Sequence, residues 1–99
     1  MVKTFLIIAS TLIVSSAWAA DARNGAALAR RWCATCHVVA ADQPGPASEA
    51  PPFASIAKRP DFDAQKLAFF LLNPHPKMPD MGLSRSATED LAAYIASLK

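Results

Sequence analysis

The two cysteines of this 99-residue chain stand three positions apart, in WCATCH at Trp32 to His37. A disulfide between them would close almost no loop and would restrain the unfolded chain very little. That matters because the folded part is small. Lys3 supplies a positive n-region, FLIIASTLIV (Phe5 to Val14) an apolar run, and AWA (Ala17 to Ala19) a small-x-small cleavage signal. The apolar run falls short of the ~20 residues that a bilayer-spanning helix needs. Cleavage is expected after Ala19, or one residue further on. Residues 1–19 then read as an export signal, and 20–99 as one domain of 80 residues. So short a chain buries too little apolar surface to be comfortably stable unaided, and usually leans on disulfides, a metal or another staple. Something besides the cysteine pair has to complete the core.

Charge points to no particular partner. Without Lys3 the domain has nine Lys and Arg against eight Asp and Glu, a net of +1. No basic run, aromatic stacking platform or nucleic-acid motif is present, which argues against nucleic acid. VVAADQPGPASEAPP, Val38 to Pro52, is rich in Ala and Pro and reads as a loop.

Helical signals fill the rest. Asp21 to Trp32 reads as a helix capped by Asp21, with Leu28 and Trp32 on one face. Gly25 in its interior is either tolerated or marks a close helix crossing. PFASIAKR, Pro52 to Arg59, forms a short helix with Phe53 and Ile56 on one side. Asp63 to Asn73 forms a third, capped by Asp63 and ended by the Asn73-Pro74 pair. Its second half (Leu67, Phe69, Phe70, Leu71, Leu72) is apolar nearly all round, which implies cover on more than one side. In the last helix Ser86 and Glu89 have capping-box spacing, with Ser84 as a second candidate cap. Leu91, Tyr94, Ile95 and Leu98 then form one apolar stripe. Nothing alternates with period two, so the expected fold is all-α.

The chemistry concentrates at Cys33, Cys36 and His37, which form C-x-x-C-H, the attachment sequence for c-type haem. If the helix continues through the motif, positions i, i+3 and i+4 share a face. Two thiols there can bond to the two vinyl groups along one side of a porphyrin, and the adjacent imidazole can reach its iron. A thiol–disulfide exchanger is the rival chemistry, but such motifs usually open a helix after a strand, and no β-α-β pattern surrounds this one. A zinc site needs about four ligands, and there is no second cysteine pair. A buried haem would also complete the core.

With His37 on one side of the iron, a partner is needed on the other. NPHPKMPDMG, residues 73–82, offers Met78, Met81, His75 and Lys77 between prolines that each fix a φ angle. Cytochromes c often use Met there, which raises the reduction potential. Met78 is the leading candidate and Met81 the alternative, with Met81 otherwise packing on the ring or in the core. His75 reads as a solvent-facing turn residue, although bis-histidine ligation stays open.

CATCH near the N-terminus, KMP about forty residues later, an L-S turn and a D-L-A-A-Y-I helix together resemble the class I cytochromes c, the small soluble bacterial mono-haem kind. The resemblance covers the whole mature chain. It implies a cytochrome c fold of three to four helices around one covalent haem c and its iron. Cys33 and Cys36 would form the thioethers, His37 the proximal ligand and Met78 the distal one. Gly25 would meet the last helix, with Leu91 and Tyr94 opposite. A proline carbonyl would accept the proximal imidazole N–H, and Pro51 in APPF fits that role better than Gly45-Pro46. Lys58 and Arg59 are guesses for a propionate partner. Trp32 would either line the haem or pack on its helix.

A periplasmic electron carrier is the leading expectation: one haem cycling between Fe(III) and Fe(II), not an enzyme. Its partners would be redox proteins, a dehydrogenase donor or an oxidase or other cytochrome acceptor, with no stable membrane insertion. A haem subunit or dedicated acceptor of an exported dehydrogenase is the alternative. A haem sensor or peroxide-reactive enzyme would need a displaceable distal ligand, and no distal acid–base pair is evident.

Overall fold

The computed structural model describes residues 8–12, 19–45, 48–73 and 77–99. Among them are four α-helices and one π-helical turn, and no strand: α1 (Ala22–Leu28), the π-turn (Ala29–Cys33), α2 (Phe53–Ala57), α3 (Ala64–Leu72) and α4 (Arg85–Ala96). No helix among these residues is long and apolar enough to cross a membrane.

Local chemistry accounts for most helix starts. The Asp21 carboxylate accepts from the backbone N–H groups of Arg23 and Asn24 at 2.9 and 3.2 Å, and Asp63 accepts from Lys66 N–H at 3.0 Å. For α4 the cap is Ser84, whose Oγ accepts from Ala87 N–H at 3.1 Å. Ser86, expected as the first cap, instead lies within the first turn of α4. The first helix also differs from a continuous Asp21–Trp32 run. It winds wider after Leu28, so that Ala34 N–H reaches back to the Ala29 carbonyl at 3.1 Å, five residues away. Such bulges recur at functional sites, and this one leads straight into the cysteine motif.

The chain's two ends are clasped by α1 crossing α4. A Cβ added at Gly25 would stand 2.0 Å from the Asp90 carbonyl oxygen and 2.8 Å from Tyr94 Cβ. Only glycine allows backbones this near to one another. Gly25 thus faces Asp90 and Tyr94, while Leu91 turns into the core at 1% exposure. The Asp90 side chain reinforces the crossing. Its carboxylate accepts from Asp21 N–H at 2.7 Å and from Asn24 Nδ2 at 2.8 Å. Both oxygens of this buried acid are thereby satisfied, as burial of a charge demands.

The core gathers Ala29, Cys33, Val39, Phe53, Ala57, Leu71, Leu91 and Ile95. α3 buries Ala68 and Leu71, but Phe69 is 71% exposed and Phe70 is exposed as well. Among the described residues, α3 is covered on the side that carries Ala68 and Leu71. Trp32 lies in the π-turn, beside its neighbour Arg31. It is about half exposed, with the Arg31 guanidinium carbon 4.8 Å from its ring centroid. Between the two terminal helices the loop after the motif passes Gly45, around which nothing approaches an added Cβ within 4 Å.

Gly25→Ala should destabilise the protein by about 3 kcal/mol, because overpacking against backbone outweighs the ~1 kcal/mol gain in helix propensity. Chemical denaturation of the haem-loaded protein measures this; a neutral or stabilised variant would contradict the close crossing.

Candidate haem site

The π-turn delivers Cys33 into the core, and one tight turn then sets the rest of the motif. Cys36 N–H and His37 N–H both reach the Cys33 carbonyl, at 3.1 and 2.9 Å. The second bond is of helical i, i+4 type, so Cys33, Cys36 and His37 share a face although the regular helix has ended. Cys33 is buried and Cys36 exposed, and both are free thiols. Burial pushes the Cys33 thiol up to about 11. A thiol–disulfide exchanger needs the reverse, a thiol lowered toward neutrality, so the buried sulfur argues against that chemistry.

Two contacts orient the His37 ring. Its Nδ1 lies 2.7 Å from the Pro51 carbonyl oxygen. A carbonyl can only accept, so Nδ1 carries the proton and Nε2 is left with its lone pair. The Phe53 ring stands 5.1 Å away, centroid to centroid, tilted by 47°. Phe53 itself is fixed by its N–H donating to Val38 O at 3.0 Å, which ties the start of α2 to the residue after the motif.

Polar side chains hold the loop that follows. Gln43 Oε1 accepts from Val39 N–H at 2.9 Å, and its Nε2 donates to His37 O at 2.9 Å and to Ala34 O at 3.3 Å. Ser48 Oγ donates to Cys36 O at 2.8 Å. From α4, Tyr94 donates its hydroxyl to Val39 O at 2.5 Å. None of these was recognised from sequence. Gln43 and Ser48 lie in a stretch with no periodicity, and Tyr94 reads there as part of an apolar stripe and as a neighbour of Gly25, with no sign of its hydroxyl's partner.

The distal candidates divide. Met78 is half-buried and packs against the core cluster that contains Cys33. Met81 is half-buried and precedes Gly82, whose φ of +62° takes the left-handed conformation that glycine accepts without strain. Gly82 N–H donates to Asp80 Oδ1 at 2.8 Å, closing the loop's exit. His75 lies outside the described residues, with Pro74 and Pro76; so does Pro46. Lys58 and Arg59 are exposed at the end of α2.

The donor set fits a covalently attached haem. Two thiols in one turn, an imidazole with Nε2 available and a thioether against the same core suit a ring that brings its own equatorial nitrogens. Among the described residues, no group of three or more His, Cys, Asp or Glu could hold a bare metal ion.

An all-α fold whose first and last helices cross beside this turn defines a small class I mono-haem cytochrome c. Residues 20–95 match the family described as cytochrome c oxidase, cbb3-type, subunit III, and the chain belongs to this cytochrome c family. It is 58% identical over 94 residues to "Cytochrome c-552" of Bradyrhizobium diazoefficiens, covering 95% of this chain and 90% of the relative. No solved structure matches it. Membership makes it a haem-based electron-transfer protein with covalently bound haem c and its iron.

Tyr94→Phe should cost about 1 kcal/mol by leaving Val39 O without its donor. Denaturation of the haem-loaded protein measures it, and no loss at all would mean that water replaces the hydroxyl.

Proposed function

We propose that this protein is an exported electron carrier whose iron is held by His37 on one side and Met78 on the other, with Cys33 and Cys36 as the thioether attachments. The observation that carries this reading is the placement of Met78. Of the described candidates in its loop it is the one packed on the core cluster with Cys33. The imidazole tautomer imposed by Pro51 supports His37 as the opposite ligand, because it leaves Nε2 to the metal. The bound haem supplies a one-electron Fe(III)/Fe(II) couple. The protein's own part is to keep both ligands in place in both states, exclude water with Phe53, Leu71 and Leu91, and hold the Nδ1 proton on Pro51 O. Thioether ligation raises the reduction potential. If His37 and Met78 both hold the iron, no site would remain for a substrate, which favours a carrier over a sensor or a peroxide-reactive enzyme.

The leader pattern of residues 1–19 supports export, with the mature chain beginning at Ala20. Intact mass of the secreted holoprotein should correspond to residues 20–99 plus one haem; retention of the leader would overturn the export reading. A resident haem subunit is the second reading, favoured by the family's description as an oxidase subunit. Co-purification with a membrane oxidase in place of release into the periplasmic fraction would select it.

The ligand assignment is tested by visible absorption. Oxidised wild-type protein should have the weak sulfur-to-iron charge-transfer band, Met78→Ala should lose it, and Met81→Ala should retain it. Loss of the band in Met81→Ala alone would reassign the ligand, and a wild-type protein without the band would remove Met78 from the iron.

A further inference from the structure

The side chain of Gln43 uses its amide oxygen and both N–H donors on the backbone of the haem-motif loop. Its Oε1 accepts from Val39 N–H at 2.9 Å, while Nε2 donates to His37 O at 2.9 Å and Ala34 O at 3.3 Å. Ala34 and His37 belong to the turn that begins at Cys33, and Val39 follows it. The residue is half-buried, so the bonds are partly shielded from competing water. Nearby, the Arg30–Asp42 pair at 3.2 Å also links the π-turn to this loop, but both side chains are more than half exposed. An exposed pair of that kind contributes little. Ser48 holds only the Cys36 carbonyl.

We infer that Gln43 is a positioning residue for the proximal imidazole: by pinning the carbonyl of His37 and the N–H of Val39 it fixes the backbone from which His37 reaches Pro51 O. Two anchors then set the ring, one at each end of the residue. Pro51 fixes the Nδ1 edge, and Gln43 fixes the main chain. Either alone leaves a freedom, rotation about the side-chain torsions or tilt of the whole peptide. The geometry calls for an amide of this length. Asparagine is one methylene shorter, and glutamate keeps the acceptor but cannot donate when ionised. This inference rests on His37 as the iron's proximal ligand.

The test reads the His37 Nδ1–H directly, by proton exchange in NMR spectra of the reduced haem-loaded protein. Wild type should give a slowly exchanging Nδ1–H resonance. In Gln43→Leu its exchange should accelerate about tenfold, as expected when the turn loses one or two hydrogen-bond contributions. Ser84→Ala, which removes a helix cap remote from the loop, serves as the control for general destabilisation. Equal acceleration in the two variants, at matched loss of stability, would overturn the role of Gln43.

Gln43→Glu provides a second reading should the leucine variant fail to accumulate. Near pH 7 the ionised side chain cannot donate to His37 O, and the exchange ratio to wild type should be high. Around pH 4, where a glutamic acid takes up its proton, the carboxylic acid can donate again and the ratio should fall toward one. A ratio that does not change with pH would count against the inference. Absence of any imidazole Nδ1–H resonance in wild type would instead remove His37 as the ligand, and the positioning role with it.

Discussion

The crossing of α1 over α4 is the constraint on which the remaining geometry depends. Gly25 seats the first helix on the Asp90 carbonyl so closely that no side chain fits between them. The Asp90 carboxylate closes the same contact from its other end, on Asp21 and Asn24. With the crossing fixed, the π-turn delivers Cys33 into the same buried cluster as Leu91 and Ile95 of α4. The haem motif thus inherits its place from a helix contact that involves none of its own residues.

Beyond the motif, regular structure gives way to individual polar side chains. The backbone from Ala34 to Val39 has few helical bonds of its own, and loops inside a compact fold must satisfy their polar groups somehow. Gln43, Ser48 and Tyr94 do so from three directions, and the Pro51 carbonyl accepts from the imidazole Nδ1–H. That division of labour suits a redox site. Side chains that lock a loop would keep a ligand carried on it in place as the iron changes oxidation state, and small rearrangement favours fast electron transfer.

How far the sequence could be read follows from the range of each interaction. Local signals were legible: the caps Asp21 and Asp63, the apolar stripe of α4 and the cysteine spacing all act within one or two turns. The choice of Ser84 over Ser86 was a contest between two residues with similar local credentials, settled by where the chain enters α4. Non-local polar bonds were not legible. Asp90 lies 69 residues from the N–H it accepts, and nothing in ATEDLAAY distinguishes it from a solvated acid. Gln43 sits in a proline-rich loop where periodicity carries no information.

The clasp between the ends has a consequence for how such a chain can vary. Once α1 and α4 hold each other, everything between them is a closed ring, and its length need not be conserved where nothing leans on it. The open surroundings of Gly45, between the anchor residues Gln43 and Ser48, mark such a place. Lengthening a surface loop raises the closure entropy only slowly. Insertions and deletions in relatives should therefore accumulate around this position, while the spacing from Gly25 to His37 and from Met78 to Asp90 stays fixed.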